Sequence, residues 1–178
     1  MKKLVIIPAY NEVQNIKNVI EDLTSNAPEF DYVIINDCSS DGMENLCLRQ
    51  GYNIINLPIN LGIGGGVQTG YKYAYENGYD IVVQFDGDGQ HKAQYIKELL
   101  EYMRQQDLDM VIGSRFISKR GYQSSVSRRM GIRFLSILIK MVTGKKILDV
   151  TSGFRMVNRN VIEVFCKYYS KDYPEPES

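Results

Sequence analysis

The feature that most constrains this chain is a regular alternation of short apolar runs with segments of helical spacing. The predicted strands are Lys3–Pro8, Tyr32–Asn36, Tyr52–Leu57, Asp80–Phe85 and Met110–Gly113, and the predicted helices are Glu12–Ser25, Asp41–Gln50, Val67–Asn77 and Ala93–Gln105. Continuous apolar strands separated by helices are typical of a mostly parallel sheet covered by helices on both faces. At 178 residues the chain fits one α/β domain.

Polar motifs follow these strands. AYNE comes after the first, DCSSDG after the second, DGDGQH after the fourth and SR after the fifth. In such sheets ligands bind at the carboxyl ends of the strands, so a site is predicted at that edge. Farther along the chain the pattern is looser, with a polar loop over 118–127, a basic and apolar segment over 128–142, a strand over Thr151–Val157 and a helix over Arg159–Tyr168.

The net charge of zero conceals a division of the chain. Residues 1–114 hold 8 basic and 16 acidic side chains, whereas residues 115–148 hold 9 basic and no acidic ones. An acidic body argues against a general nucleic-acid binder, and the basic stretch favours an anionic ligand. Three cysteines without a CxxC pair predict reduced thiols in a cytosolic protein. No apolar run approaches the roughly 20 residues that a membrane-spanning helix needs.

Asp86 and Asp88, directly after an apolar strand, are the strongest local signal for chemistry. Two carboxylates at this spacing can share a hard divalent cation, and Gln90 offers a further neutral oxygen. The alternative is a solvated Asp-Gly turn. His91 lies in the same loop, but nothing in the pattern assigns it as a general base.

Two further motifs leave alternatives open. The glycine run Leu61–Gly70 fails the dinucleotide spacing, and it fails Walker A because Tyr71 follows Gly70. It predicts a helix start that packs closely against either another backbone or a ligand. In DVTSGFR, Asp149, Ser152 and Arg155 can orient an anionic substrate, or the Asp and Arg can form a structural pair.

Six motifs in order, IIPAYNE, IINDCSSDG, NLGIGGGVQTGYKYA, VVQFDGDGQH, VIGSRF and DVTSGFR, make the chain resemble family 2 glycosyltransferases of the GT-A fold from Leu4 to about Ile162. Within that family it is most similar to the dolichyl- or polyprenyl-phosphate hexose synthase-like branch. The resemblance implies a Rossmann-like sandwich in a single catalytic domain over 1–178. Residues 1–114 form its nucleotide-sugar-binding half and 115–178 its acceptor-side half.

The resemblance also implies roles for individual residues. Nucleotide-sugar binding falls to Pro8, Tyr10, Asn11, Glu12, Asp37, Gly64, Asp86 and Arg115. Asp86, Asp88 and Gln90 would hold Mg²⁺ or Mn²⁺, and the catalytic residues would be Asp88, Arg115 and Asp149. Arg128, Arg129, Ser152 and Arg155 would meet the acceptor. The chain departs from the family pattern at Asn36, where many relatives have a second Asp, and at Ala93, where Pro is usual.

The implied activity is inverting, metal-dependent transfer of a hexose from a UDP- or GDP-sugar to a polyprenyl or dolichyl phosphate, in cell envelope biosynthesis. An acceptor phosphate is already anionic and needs little help from a base. An acceptor hydroxyl would need one, and Asp149 is the first candidate. The alternatives are a family 2 enzyme with a glycan or cell-wall acceptor, and a nucleotide-sugar-binding module without catalysis. The sugar, the base and the oligomeric state stay open.

The basic stretch bears on where the protein acts. Helical spacing would bring Met130, Phe134, Ile137, Leu138 and Met141 onto one face among basic residues. Such a segment suits peripheral contact with the inner face of a membrane, the alternative being a core helix with solvated basic side chains. Family members continue beyond the GFR region with another helix and strand. Because this chain ends at Ser178, we expect a shortened form that lacks part of the acceptor side.

Overall fold

The computed structural model describes residues 1–113 and 153–168. The strands are β1 (Lys3–Ala9), β2 (Asp31–Asn36), β3 (Ile54–Asn56), β4 (Ile81–Gln84), β5 (Met110–Ile112) and β6 (Arg155–Asn158). The helices are α1 (Ile16–Asn26), α2 (Met43–Gln50), α3 (Gly62–Glu76), α4 (Tyr95–Gln105) and α5 (Arg159–Tyr168). The loop predicted over 118–127 and the segment predicted over 128–142 lie outside the described residues.

The six strands form one sheet in the order β3-β2-β1-β4-β6-β5. Strands β1 to β4 pair in parallel, and β6 runs antiparallel to both β4 and β5. The prediction of a mostly parallel sheet with helices between its strands is therefore confirmed. Because β6 is reversed, its first residue, Arg155, lies opposite Gln84 at the end of β4. The start of β6 is thereby placed at the carboxyl edge of the parallel strands.

Side chains of β1 alternate between two apolar cores, one on each face of the sheet. Val5 and Ile7 belong to the core that includes α1, α2 and α4 residues, whereas Leu4 and Ile6 belong to the core that includes α3 and α5 residues. All four are at most 1% exposed. Burial on both faces explains why β1 reads as a continuous apolar run rather than as an alternating pattern.

Helix α3 approaches β1 closely through its glycines. A Cβ built on Gly70 would lie 2.9 Å from Cβ of Ile6, and one on Gly66 would lie 3.6 Å from Cβ of Pro8. The helix starts at Gly62, not at Val67 as the sequence predicted. Glycine has a low helix propensity, but packing against the central strand overrides it here. Gly66 and Gly70 thus allow α3 to pack closely against β1.

Two sequence expectations concern thiols and membranes. Cys38, Cys47 and Cys166 are all free, as predicted. Among the described residues, no helix is both long and apolar enough to cross a bilayer.

Candidate active site

A cavity of about 480 Å³ opens at the carboxyl edge of the sheet, where β1, β2 and β4 end. It is lined by Pro8, Ala9, Tyr10, Glu12, Asp37, Asn60, Gly62, Ile63, Gly66, Asp86, Gly87 and Asp88. Ligands of parallel α/β sheets bind at this edge because the loops that follow neighbouring strands converge there. The structure thus brings together residues from the polar motifs that follow the first, second and fourth predicted strands.

The loops after β1 and β2 are joined by hydrogen bonds. The backbone N–H of Asn11 donates to Oγ of Ser39 (2.9 Å), and that of Ser40 donates to Oδ1 of Asn11 (2.9 Å). Asn11 and Cys38 both adopt the left-handed region, with φ of 57° and 59°. Non-glycine residues are held there only where their surroundings enforce it, which is common at functional sites. Asn11 itself is exposed and not among the residues that line the cavity.

Asp37 is only 5% exposed and braces the start of α3. Its Oδ1 accepts a hydrogen bond from the backbone N–H of Leu61 (2.7 Å), and its backbone carbonyl accepts one from Nδ2 of Asn60 (3.2 Å). Its own N–H donates to the carbonyl of Ala9 (3.0 Å). The carboxylate therefore lines the cavity in a fixed orientation.

The asparagine that departs from the family pattern has partners that a carboxylate would not satisfy. Nδ2 of Asn36 donates to Oδ1 of Asn56 (2.7 Å), while its Oδ1 accepts from the backbone N–H of Ser39 (3.1 Å). Nδ2 of Asn56 in turn donates to Oε1 of Glu44 (2.9 Å). An ionised aspartate at position 36 has no donor for Asn56. Asn36 therefore links β2 to β3.

The loop after β4 presents the predicted metal-binding carboxylates. Asp86 and Asp88 both line the cavity and are partly buried. Oδ2 of Asp86 lies 2.9 Å from Nε2 of His91, and Oδ1 of Asp88 accepts from the backbone N–H of Gln90 (2.9 Å). Gly89 turns the loop with a φ of 75°. Gln90 is exposed and not among the lining residues.

The donor set fits a divalent cation that shares its coordination with a ligand. In residues 1–113 and 153–168, no three His, Cys, Asp or Glu side chains cluster closely enough to hold a metal by themselves. Asp86 and Asp88 each keep one carboxylate oxygen that receives no hydrogen bond from the described residues. Mg²⁺ and Mn²⁺ accept such oxygens and complete their coordination with water or phosphate.

The start of β6 touches the same carboxylate. A Cβ built on Gly153 would lie 2.5 Å and 2.7 Å from the two carboxylate oxygens of Asp86. Phe154 stacks on the ring of His91. Arg155, predicted to meet the acceptor, is 8% exposed and pairs in register with Gln84. Of the other predicted residues, Gly64 is buried within α3, and Arg115, Arg128, Arg129, Asp149 and Ser152 lie outside the described residues.

The lining of the cavity is acidic. Four carboxylates, those of Glu12, Asp37, Asp86 and Asp88, contribute to it, and the described residues that line it include no lysine or arginine. An anionic ligand entering this cavity would meet repulsion unless a cation accompanied it. The carboxylates that the described residues contribute thus favour a cation in this cavity.

Comparison with known proteins decides the family. The model of Glycosyl transferase family 2 matches residues 4–165. The chain belongs to this family. It is 30% identical over 161 residues to an undecaprenyl-phosphate mannosyltransferase of Micrococcus luteus, covering 87% of this chain and 65% of that protein. It is also 30% identical over 177 residues to a UDP-N-acetylglucosamine–dolichyl-phosphate N-acetylglucosaminyltransferase of Methanococcus voltae, covering 89% and 70%.

Solved structures of other proteins share the fold. The glucosyl-3-phosphoglycerate synthase of Mycobacterium tuberculosis, in complex with Mn²⁺, uridine diphosphate and glucosyl-3-phosphoglycerate, superposes with a TM-score of 0.69 at 17% identity. The match covers 90% of this chain and 57% of that one. The predicted family and the predicted GT-A fold are both confirmed. The family 2 chain described here spans a little under two thirds of the length of the first relative, at 65%.

Sequence reasoning missed part of this family 2 site. The contacts of His91 with Asp86 and Phe154 were not predicted, and neither was the closeness of Gly153 to the carboxylate. The signals were present, since QH follows DGDG directly and Gly-Phe precedes Arg155. Asn60, Gly62 and Ile63 also line the cavity. Asn60 lies between β3 and α3, and Gly62 and Ile63 lie in the first turn of α3.

Proposed function

We propose that this chain is the catalytic domain of an inverting, metal-dependent glycosyltransferase that moves a hexose from a UDP- or GDP-sugar to a polyprenyl phosphate. The observation that carries the proposal is the gathering of Asp37, Asp86 and Asp88 in one cavity at the carboxyl edge of the sheet. Membership of family 2 and the activities for which two relatives at 30% identity are named support it.

On the donor side, different residues would bind different parts of the nucleotide sugar. Asp37, held by Leu61, would contact the nucleoside, with Pro8, Tyr10, Asn11, Glu12 and Gly64 around it. Asp86 and Asp88 would hold Mg²⁺ or Mn²⁺, with Gln90 as a further oxygen. The cation would supply Lewis-acid stabilisation of the charge that grows on the leaving diphosphate. Arg115 would place a guanidinium near the same charge.

On the acceptor side, the proposal rests on charge and on the relatives. The names of the two relatives give undecaprenyl phosphate and dolichyl phosphate as their acceptors. Residues 115–148 of this chain carry 9 basic side chains and no acidic ones. Arg128, Arg129, Ser152 and Arg155 would meet the acceptor phosphate, and Asp149 would orient it or act as a base for a hydroxyl acceptor. We place residues 1–114 on the donor side and 115–178 on the acceptor side.

A lipid-borne acceptor also fixes the place of action. The chain would work at the cytoplasmic face of the membrane, in peripheral contact through its basic stretch, with a role in cell envelope biosynthesis. Anionic headgroups attract a segment of this charge. The acidic cavity would remain turned to the aqueous phase, from which the nucleotide sugar arrives.

The test is radiolabelled sugar transfer by the 178-residue chain. UDP- and GDP-hexoses would be offered with Mn²⁺ to undecaprenyl phosphate, to a glycan and to no acceptor. We expect transfer to the lipid phosphate that chelation with EDTA abolishes and that Asp88→Ala abolishes. Lys92→Ala, an exposed residue of the same loop, is the matched control and should transfer normally.

Other outcomes point to the alternatives. Transfer to the glycan alone would place the chain in family 2 with another acceptor. Binding of nucleotide and Mn²⁺ by calorimetry without transfer or hydrolysis would identify a binding module. Transfer that persists in EDTA and in Asp88→Ala would contradict the metal role.

A further inference from the structure

One histidine contacts a cavity carboxylate without lining the cavity itself. Nε2 of His91 lies 2.9 Å from Oδ2 of Asp86, and the side chain of His91 is 9% exposed. An ionised carboxylate only accepts hydrogen bonds, so Nε2 must be the donor. The histidine is nearly buried and is not among the residues that line the cavity. It therefore contacts Asp86 and would not contact a ligand in the cavity.

Aromatic contacts fix the plane of the histidine ring. It stacks on Phe154 with ring centroids 5.1 Å apart and an interplanar angle of 24°. It meets Phe85 edge-on, with centroids 5.8 Å apart. Phe85 and Phe154 are themselves in edge contact at 5.7 Å. Three mutually packed rings leave the imidazole little freedom to rotate, so the direction of its N–H is defined.

The neighbour of Phe154, Gly153, leaves room for the carboxylate of Asp86 because it has no side chain. A Cβ on Gly153 would lie 2.5 Å from Oδ2 of Asp86 and 2.7 Å from Oδ1, distances that real Cβ atoms do not adopt. A larger residue would therefore displace Asp86 from its present position. His91 thus contacts the carboxylate of Asp86, and the lack of a side chain at Gly153 leaves room for it.

We propose that His91 is a positioning residue for the metal site: its Nε2–H holds Oδ2 of Asp86, which orients Oδ1 toward the cation. Phe154 and Gly153 at the start of β6 complete the clamp. The inference rests on the proposed metal-dependent function. Carboxylates that ligate metals are commonly fixed by such outer hydrogen bonds, and loss of one weakens metal affinity by about 10- to 100-fold.

The clamp has a further consequence for the fold. Its one member from the loop after β4 is His91, whereas Gly153 and Phe154 directly precede β6, far away in sequence. The DVTSGFR motif, which the sequence assigned to the acceptor side, therefore also supports the metal site through Gly153 and Phe154. A change at the entry to β6 is expected to alter metal binding without touching a metal ligand.

The experiment measures Mn²⁺ affinity in the presence of UDP, by calorimetry and by the electron paramagnetic resonance of Mn²⁺. His91→Phe keeps an aromatic ring but removes the donor, and about 10- to 100-fold weaker Mn²⁺ binding is expected. His91→Gln carries an amide donor at similar reach and should recover most of the affinity. Lys92→Ala, an exposed neighbour in the same loop, should bind Mn²⁺ as the wild type does.

Further variants keep the inference falsifiable if His91→Phe does not fold. Phe154→Leu retains the donor but frees the ring, and Gly153→Ala displaces Asp86, so both should weaken Mn²⁺ binding in protein whose circular dichroism is unchanged. Wild-type affinity in His91→Phe, or an equal loss in His91→Gln, would overturn the positioning role and leave the proposed function standing. A wild type that binds no Mn²⁺ with either UDP or GDP would overturn both.

Discussion

Asp37 and the Asp86–Asp88 pair line the same cavity, yet their carboxylates are held in different ways. Asp37 is 5% exposed and bonds the backbone N–H of Leu61, so its carboxylate is part of the framework that starts α3. The side chain of Asp86 is 28% exposed, and Asp88 bonds only the backbone within its own turn. The carboxylate of Asp37 is thus fixed by the fold, whereas Asp86 and Asp88 keep carboxylate oxygens that could bind a cation.

Because of this difference, we distinguish the effect of a mutation on folding stability from its effect on ligand binding. A carboxylate that satisfies a backbone donor elsewhere in the fold contributes to folding as well as to binding. A carboxylate in a solvated turn contributes little to folding, and its charge is available to a cation. We therefore expect substitutions on the two sides to differ in how they divide between stability and activity.

The largest effect is expected for Asp88→Asn. The amide oxygen can still accept from the N–H of Gln90, so the turn should persist while the charge is lost. Sugar transfer should fall by about 100-fold or more, because the charge that develops on the leaving group loses its stabilisation. Urea unfolding should change by less than about 0.5 kcal/mol. Activity close to wild type would show that Asp88 does not hold the metal.

An intermediate effect is expected for Asp37→Ala, and here stability and binding should fall together. The N–H of Leu61 loses its acceptor in a partly buried loop, which costs about 1–3 kcal/mol of unfolding free energy. Affinity for UDP or GDP should weaken even without metal. Urea unfolding and calorimetry on the same sample measure both changes. Unchanged stability would remove the contrast with Asp88.

The smallest effect is expected for Tyr79→Phe, at the opposite edge of the sheet. The hydroxyl of Tyr79 donates to Oδ2 of Asp31 (3.0 Å), and its loss should cost about 0.5–1.5 kcal/mol. Nucleotide affinity should not change. This variant is therefore a control for the loss of stability expected in Asp37→Ala, and weaker nucleotide binding in it would show that stability alone affects the cavity.

The same tyrosine gives a pH dependence. Burial, followed by the hydrogen bond to Asp31, raises the pKa of Tyr79 above its usual range. Its stabilising contribution is thus present below about pH 10, the value of an unfolded tyrosine, and is lost as pH rises toward the folded pKa. Unfolding free energy should fall above about pH 10 in the wild type and fall less in Tyr79→Phe.

The elements that the sequence predicted well are those whose signal is local. Strand β1 was predicted because burial on both faces requires a continuous apolar run. Asp41 was read as a helix start, and its Oδ1 does accept from the backbone N–H of Met43 (3.1 Å) at the beginning of α2. Six of the predicted site residues line the cavity because they lie at the end of a strand or in the loop after it; they are Pro8, Tyr10, Glu12, Asp37, Asp86 and Asp88.

The features that were missed depend on contacts between distant segments. Apolar content predicts a strand near Val157 but carries no direction, so the antiparallel insertion of β6 between β4 and β5 was not foreseen. Helix α3 begins five residues before the start that the sequence predicted. Gly66 and Gly70 pack against β1, and helix propensity alone does not predict such packing. The contact between His91 and Phe154 likewise joins two loops far apart in sequence.

The position of β6 brings together two residues, Gly113 and Phe154, that lie on either side of the segment 114–152 in the described structure. The backbone N–H of Gly113, after β5, donates to the carbonyl of Phe154 (2.8 Å), so the chain leaves the sheet and re-enters it at one point. A segment anchored in this way can change in length or sequence without altering the strand order. Residues 114–152, which include the whole basic stretch, thus lie between two residues that one backbone hydrogen bond joins.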